Sequence, residues 1–115
     1  MEAKSYHVLV YQTETGKEPF TEWRNTLDKS VQARIDVRID RLAEGNFGSH
    51  RHLSNNLYEI KYHFGSGYRL YFGLEAEQII ILLTGGDKSV QQADIDKASE
   101  YWAHHNSKGK SYDII

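Results

Sequence analysis

The stretch that decides the fold of this chain is residues 57–72, which read LYEIKYHFGSGYRLYF. Two runs rich in aromatic and aliphatic residues stand on either side of the turn sequence GSG at 65–67, a pattern typical of a β-hairpin. We therefore predict strands over residues 57–64 and 68–74, closed by a three-residue loop. The alternation of side chains along these two strands is the starting point for placing the candidate functional residues.

This alternation divides the hairpin into an apolar and a polar face. The apolar face comprises Tyr58, Ile60, Tyr62, Phe64, Tyr68, Leu70 and Phe72. The polar face comprises Glu59, Lys61, His63, Arg69 and Tyr71. The three-residue loop sets His63 opposite Arg69 and Lys61 opposite Tyr71, and a slip of one residue would place cations opposite apolar neighbours. Two interpretations stay open: a solvated face with cross-strand ion pairs, or an anion or RNA surface with Tyr71 stacked on a base.

The N-terminal half predicts one strand and a helical hairpin. Residues 5–11, SYHVLVY, are typical of a strand, and Pro19 suits the first position of a helix that runs to about Leu27. A second helix follows after a short link, which makes the two helices antiparallel neighbours, and it ends at Gly45. Its apolar stripe consists of Val31, Ile35, Ile39 and Leu42.

The remaining segments predict a loop, a central strand and a final helix. Residues 48–56 are polar and are interpreted as a loop. Ile79–Leu83 is apolar at every position, which favours a central strand covered on both faces. Gly85–Gly86 is interpreted as a sharp turn into a helix that begins near Ser89 with a Ser-x-x-Gln capping box. The residues from 106 onwards are polar.

The predicted order is β-α-α-β-β-β-α, an α+β fold in which a helical hairpin packs on one face of a small antiparallel sheet. We assign residues 1–105 to a single domain and residues 106–115 to a polar C-terminal tail. No targeting segment is evident and the longest apolar run is far too short to span a bilayer, so we expect a cytoplasmic protein without a membrane partner.

Charge and residue usage narrow the chemistry. The net charge is −2, but between His50 and Gly73 there are three basic residues and one acidic residue. The chain has no cysteine, which excludes disulfides and thiolate chemistry. The pair His50-x-His52 lacks an evident third ligand, so we expect no metal site. No P-loop or other cofactor motif is present, and we expect no small-molecule cofactor.

Four collinear blocks resemble the RelE/ParE superfamily of bacterial type II toxins, and most closely its HigB-like, phage-associated subgroup of addiction module killer proteins. The blocks are PFTEWRNTL (19–27), RIDRLAEGNFG (38–48), LYEIKYHFGSGYRLYF (57–72) and LLTGGDKSVQQADIDKA (82–98). They cover nearly the whole chain to about Trp102. The resemblance implies a RelE-like fold, in agreement with the element order predicted from the residues.

The resemblance also implies the toxin of a type II toxin–antitoxin system. Proteins of this type are generally ribosome-dependent mRNA endonucleases, with the ribosome and mRNA as partners and a helix-turn-helix antitoxin as inhibitor. Their reaction needs no metal, since the ribose 2′-oxygen attacks the adjacent phosphate and leaves a cyclic phosphate and a 5′-hydroxyl. Two alternatives stay open: a ParE-like, non-enzymatic inhibitor of DNA gyrase, and an inactive homologue that acts only by binding its antitoxin.

The resemblance implies roles for four basic residues. Arg69 matches the family's arginine, which we expect to stabilise the phosphate, and Lys61 stands where the pattern usually has arginine. Lys88 matches the lysine of the GGDKS block near a helix N-terminus, which is itself an anion site. Arg51 matches a basic residue that precedes the first hairpin strand, and we expect it to bind RNA or phosphate.

Three further candidates complete the predicted site. Tyr71 is expected to stack on a base. His63 is assigned a role in proton transfer from the residues alone, because imidazole is the side chain that titrates nearest to neutral pH. His52, next to Arg51, is expected to join it in binding RNA.

Overall fold

The computed structural model describes residues 5–110. The elements in chain order are β1 (His7–Val10), α1 (Pro19–Asn25), α2 (Lys29–Ala43), β2 (His50–Ser54), β3 (Leu57–Lys61), β4 (Arg69–Glu75), β5 (Ile79–Gly86), a short 3-10 turn (Lys88–Val90) and α3 (Gln91–Lys110). Helices and strands form a mixed α+β fold, as predicted. Pro19 occupies the first turn of α1, also as predicted.

The five strands form one sheet in the order β1-β5-β4-β3-β2. Two features of this sheet differ from the prediction. The segment predicted as a loop contains β2, which pairs antiparallel with β3, and β1 runs parallel to β5. The sequence HRHLS of β2 is polar and mostly exposed, so its strand conformation is stabilised by pairing with β3 rather than by an apolar pattern of its own.

The register of the β3–β4 hairpin differs from the predicted one by two residues. Lys61 lies opposite Arg69, and Glu59 lies opposite Tyr71. The amide of Tyr62 donates to the carbonyl of Tyr68 at 2.9 Å, so residues 63–67 form a longer loop than the predicted three residues. Since the shift is even, every side chain keeps its predicted face.

Two apolar clusters lie on opposite sides of the sheet. The helical hairpin α1–α2 covers one side, where Phe20, Ile35 and Leu42 pack on alternate strand residues. Helix α3 covers the other side through Ala98 and Trp102. The apolar strand β5 contributes to both clusters, which confirms its prediction as a strand covered on both faces.

Gly73 and Gly85 allow close approach of one tryptophan from each side. A Cβ atom on Gly85 would lie 2.3 Å from the ring of Trp23, and one on Gly73 would lie 2.3 Å from the ring of Trp102. The interpretation of Gly85–Gly86 as a sharp turn is therefore wrong, since both glycines belong to β5. They provide flat backbone against which side chains pack.

The final helix begins and ends later than predicted. Asp87, rather than Ser89, caps the 3-10 turn by accepting a hydrogen bond from the Ser89 amide at 2.9 Å. Helix α3 continues to Lys110, so residues 106–110 of the predicted polar tail are helical, and the domain boundary at 105 stays a prediction. The predicted tail's last part, 111–115, lies outside the described residues. Within 5–110, no helix is long and apolar enough to cross a membrane.

Candidate nucleic-acid interface

Two adjacent grooves meet at the end of the β3–β4 hairpin, and Lys61 and Arg69 line both. Arg51 and Glu59 line the first groove, while His63 and Lys88 line the second. We call these two grooves together the basic cleft. Its walls come from β2, β3, β4, the hairpin loop and the 3-10 turn before α3. The structure thus brings together five of the seven predicted site residues: Lys61, Arg69, Lys88, His63 and Arg51.

The guanidinium of Arg69 contacts the hairpin loop on one side and a carboxylate of β3 on the other. The residue is 7% exposed, and its Nη1 donates to the carbonyl oxygen of Gly67 at 2.7 Å. Its Nε lies 3.7 Å from a carboxylate oxygen of Glu59 and has no hydrogen-bond partner within the described part of the chain. Arg69 is therefore fixed in orientation and retains an unused buried donor beside the cleft.

Glu59 connects several of the cleft's walls and was missed as a site residue by the sequence analysis. It is only 4% exposed, and its Oε2 accepts from the Tyr71 hydroxyl at 2.9 Å and from Gln91 Nε2 at 2.8 Å. Its Oε1 lies 3.2 Å from Arg51 Nη2. A buried carboxylate is stable only when it is paired. The position of Glu59, as the single acidic residue on a strand pair with basic residues, was therefore the sequence feature that could have identified it as a site residue.

Tyr71 does not have the role that the sequence predicted. It is fully buried, so no face of its ring is open to a nucleic-acid base, and the base-stacking prediction is wrong. Burial is the main cause that raises the pKa of Tyr71 far above its usual value, and the hydrogen bond to Glu59 adds to it. At neutral pH the phenol is therefore protonated and donates to Glu59.

Lys88 reaches the cleft across the hairpin loop. It is exposed, and a Cβ atom on Gly67 would lie 3.3 Å from Lys88 Cδ and 3.4 Å from Arg69 Nη1. Gly67 has a φ of +77°, so a left-handed residue without a side chain brings these two cations over the same loop. The hydrogen bonds from Ser89 hold the pKa of the neighbouring Asp87 below its usual range.

The remaining predicted residues are divided between the two faces of the sheet. His63 is exposed in the hairpin loop, and Arg51 is more than half exposed where it contacts Glu59. His52 pairs with Tyr58, and its ring lies 5.1 Å from that tyrosine ring, on the side of the helical hairpin. Because neighbouring strand residues point in opposite directions, His52 points away from Arg51 and does not line the basic cleft, and its role in binding RNA stays a prediction.

The chemistry of the cleft is that of an anion site. Lys61 and Lys88 each offer an exposed ammonium group, and Arg69 offers an oriented guanidinium. Cations that line one groove are suited to bind a phosphodiester and to stabilise the charge that develops on it. In residues 5–110, His, Asp and Glu side chains form no group of three that could hold a metal ion.

Comparison with known proteins gives the family. Residues 22–102 match the family described as phage-derived protein Gp49-like (DUF891). The chain is also 39% identical, over 80 residues, to an uncharacterized protein of Haemophilus influenzae (strain Rd), an alignment that covers 69% of this chain and 81% of the relative. The family match includes the strands and the turn that form the basic cleft. The chain therefore belongs to the Gp49-like family of phage-derived proteins, a RelE-related family of toxin-like proteins.

Proposed function

We propose that this protein is the toxin of a type II toxin–antitoxin system and acts as a ribosome-dependent mRNA endonuclease, near the HigB-like subgroup. The observation that carries the proposal is the convergence of Lys61, Arg69 and Lys88 on one cleft, although they come from three separate elements. Cations that converge on a groove provide both phosphate binding and transition-state stabilisation. The toxin-like family supports the same direction.

The proposed reaction is a transesterification within the RNA. A base removes the proton of a ribose 2′-hydroxyl, the 2′-oxygen forms a bond to the adjacent phosphorus, and the bond from phosphorus to the 5′-oxygen breaks. An acid returns a proton to the departing 5′-oxygen, leaving a 2′,3′-cyclic phosphate and a 5′-hydroxyl. No electron donor or acceptor is needed, because one phosphorus–oxygen bond forms, another breaks, and only protons are otherwise transferred.

The residues of the cleft divide these tasks. Arg69, fixed by Gly67 and Glu59, and the exposed Lys61 stabilise the negative charge on the phosphorane, and Lys88 neutralises a neighbouring phosphate. His63, exposed on the loop that lines the cleft, is the residue that we assign to proton transfer in this reaction. Arg51 extends the binding surface along the RNA backbone.

The cellular setting follows from the same proposal. The substrate is mRNA on the ribosome in the cytoplasm, and the inhibitor is a helix-turn-helix antitoxin. A toxin-like family implies an antitoxin partner, while the ribosome, the mRNA and the helix-turn-helix class belong to the proposal. Neither a metal nor a small-molecule cofactor takes part in the proposed chemistry.

A non-enzymatic role is the second candidate. Tyr71 is buried and Arg69 is 7% exposed, so two of the predicted catalytic side chains present little or no surface to a substrate. A protein with this arrangement would act by binding, either on DNA gyrase or on its antitoxin alone. The test of the first proposal distinguishes between these cases.

The test uses Lys61→Ala, because Lys61 is exposed and, in the described part of the chain, its side chain makes no ion pair. We therefore expect the substitution to leave the fold intact. The protein is induced without antitoxin while growth is followed and cuts in a reporter mRNA are mapped by primer extension. We expect discrete cuts with the native chain and a loss of roughly 100-fold in cleavage with Lys61→Ala. Lys97→Ala, an exposed lysine on α3, is the matched control and should cleave normally.

Two results would speak against the endonuclease, and a third would speak against its assignment to the basic cleft. Growth arrest with uncut mRNA and gyrase-linked DNA breaks would identify a gyrase inhibitor. Absence of both arrest and cleavage would identify a protein that acts only through its antitoxin. Normal cleavage by Lys61→Ala would keep the activity but remove it from the basic cleft.

A further inference from the structure

A third groove lies along the outer surface of α2. The hairpin loop separates it from the centre of the basic cleft. Val37, Tyr62 and Phe64 form its floor, and Arg34, Arg38 and Arg41 stand along its rim. We call it the arginine groove. It is not part of the site described above, although the hairpin loop forms one wall of each.

The floor of the arginine groove is apolar in a place where a surface helix is usually polar. Ile35 and Leu42 of α2 are fully buried against the sheet, while Val37, on the outer side, is 50% exposed. Tyr62 and Phe64 continue this apolar surface from the hairpin. Solvent-facing apolar area with a polar rim is typical of a binding surface.

The rim carries positive charge that no carboxylate in the described residues neutralises through a salt bridge. The Arg34 guanidinium lies 4.5 Å above the Phe64 ring. Arg38 donates to the backbone carbonyl oxygens of Phe47 and Ser49 before β2 and to that of Lys61 at the end of β3, so it connects α2 to both segments. Arg34 and Arg41 are exposed and leave the rim with a positive potential.

The spacing of these residues indicates the shape of the occupant. Arg34, Val37 and Arg41 follow one another at three- and four-residue intervals on one side of α2, which extends the groove over about 10 Å. A short helix with apolar residues at the same intervals fits such a surface. Acidic residues on both flanks of that helix would complement the arginines and select it over neutral or basic segments.

We propose that the arginine groove docks an acidic amphipathic helix of a protein partner. RNA is a poorer fit, because Arg34 already covers one face of the Phe64 ring, and because the exposed floor at Val37 is aliphatic. The inference rests on the proposed function in one respect, since the antitoxin is the natural source of such a helix.

A helix docked in the arginine groove would affect the basic cleft, because the two grooves share lining residues. Tyr62, His63 and Phe64 line both the arginine groove and the basic cleft. A helix that presses on this segment changes the position of His63 and of the loop that holds Arg69. The partner would thereby control the cleft without entering it.

The test measures binding of a defined peptide by fluorescence anisotropy. The probe is a labelled helical peptide of about 16 residues with leucines along one face and glutamates on both flanks, and its control has lysine in place of each glutamate. We expect the acidic peptide to bind at least about tenfold more tightly than the basic one, and Arg41→Glu and Val37→Asp each to weaken it about tenfold.

Two charge-matched variants locate the binding. Lys97→Glu, on α3, should leave the affinity unchanged, and so should Lys88→Glu, which changes the basic cleft instead. All four positions are exposed, so circular dichroism should be the same for every variant. This assay involves no RNA cleavage, so the arginine groove and the endonuclease proposal succeed or fail separately.

Several outcomes would overturn the inference. Equal affinity for the two peptides, or no binding of either, would remove the acidic helix as occupant. Loss of binding in Lys88→Glu with normal binding in Arg41→Glu would place the peptide in the basic cleft. A single-stranded RNA that displaces the peptide and itself binds Val37→Asp poorly would assign the groove to RNA.

Discussion

One side of the sheet, under α1 and α2, is covered by apolar contacts, while the other side, under α3, changes from apolar to polar along its length. On the first side, Ile60, Leu70 and Phe72 pack on the helical hairpin. On the second, Trp102 packs at one end, but towards the start of α3 the buried residues are Glu59 and Tyr71. The same hairpin supplies both sides, since alternate residues point in opposite directions.

This difference separates stability from positioning. Apolar side chains gain free energy simply from removal of their area from water. A buried carboxylate is costly unless every neighbour is in place, and Glu59 has the Tyr71 hydroxyl and Gln91 as its hydrogen-bond donors. The polar end of the α3 side therefore fixes the orientation of the arginines at the cleft more than it stabilises the fold.

The tryptophan–glycine contacts allow the two sides to be compared by the same substitution. Gly73→Ala forces a methyl group into the Trp102 ring, which is buried, and Gly85→Ala forces one into the Trp23 ring, which is partly exposed. We expect losses in the free energy of unfolding of about 3 kcal/mol for Gly73→Ala and about 1.5 kcal/mol for Gly85→Ala. Urea unfolding followed by circular dichroism measures both.

Gly16→Ala separates backbone strain from collision. Gly16 has a φ of +86°, and a Cβ atom added there would have no other atom within 4 Å, so its substitution should cost about 1 kcal/mol from the left-handed backbone alone. If Gly85→Ala were as costly as Gly73→Ala, the helical hairpin would be as rigid as α3, and the comparison of the two sides would fail at this point.

Matched hydroxyl deletions compare the polar contacts of the two sides. Tyr71→Phe removes a donor to the buried Glu59, whereas Tyr62→Phe removes a 3.3 Å hydrogen bond to the Ile35 carbonyl oxygen. We expect losses of about 2 kcal/mol and about 0.5 kcal/mol in the free energy of unfolding. Equal losses, measured by urea unfolding at neutral pH, would show that Glu59 does not depend on Tyr71.

Alkaline pH should affect the two sides alike. Burial raises the pKa of both Tyr62 and Tyr71 well above the usual value. Above about pH 10 the unfolded chain loses these protons while the native state keeps them, so the free energy of unfolding falls by about 1.4 kcal/mol per pH unit for each tyrosine. Below pH 10 neither group contributes a pH dependence.

The single variants test that slope. Tyr62→Phe and Tyr71→Phe should each make the fall in the free energy of unfolding above pH 10 less steep, by the contribution of one proton. The two effects should be equal, although the two variants differ in the free energy of unfolding that they lose at neutral pH. The measurement is the free energy of unfolding at several pH values above 10. A slope that Tyr71→Phe leaves unchanged would mean that Tyr71 ionises in the native state, in conflict with its burial.

Asp94, at the start of α3, should give the smallest effect. Its Oδ2 is buried without a hydrogen-bond partner within residues 5–110, and burial, followed by the charge of Asp87, raises the pKa of Asp94. Since the native pKa exceeds the unfolded one, stability is lost as the pH rises through the window between them and stays lower at neutral pH. Asp94→Asn should therefore raise the thermal midpoint at pH 7 and leave it unchanged at pH 3.

Asp96→Asn is the control on the same helix. Asp96 is exposed, so its substitution should not reproduce the pH-dependent gain. A gain from Asp94→Asn that is equal at both pH values would have a cause other than the raised pKa of this carboxyl group.

Most of the secondary structure was predictable because its signals are local. Pro19 marked the start of α1, and the continuous apolar run of β5 indicated cover on both faces. Strand β2 was missed because its five residues carry no apolar alternation and take their conformation from β3. The register of the hairpin was predicted from the division of its side chains into an apolar and a polar face. This division excludes only shifts by an odd number of residues, so it could not reveal the shift of two.

The candidate site was predictable in composition but not in detail. Lys61, Arg69 and Lys88 were identified from the sequence, and they line one groove. Tyr71 and Arg69 were expected to face solvent, but both are buried, next to the Glu59 carboxylate that Gln91 of α3 contacts. His52 was grouped with Arg51 because the two are adjacent in sequence, but in a strand adjacent residues lie on opposite faces.

By itself, the sequence determined most of the helices and strands and which side of the hairpin each strand residue faces, because both depend on repeats of two to four residues. Only the tertiary structure decided what covers each face. Helix α3 lies far from β3 in the chain, yet Gln91 reaches Glu59 and converts an apparently solvated strand face into a buried, oriented support for the cleft. Such long-range packing depends on the shapes and volumes of side chains distant in sequence, which no local pattern records.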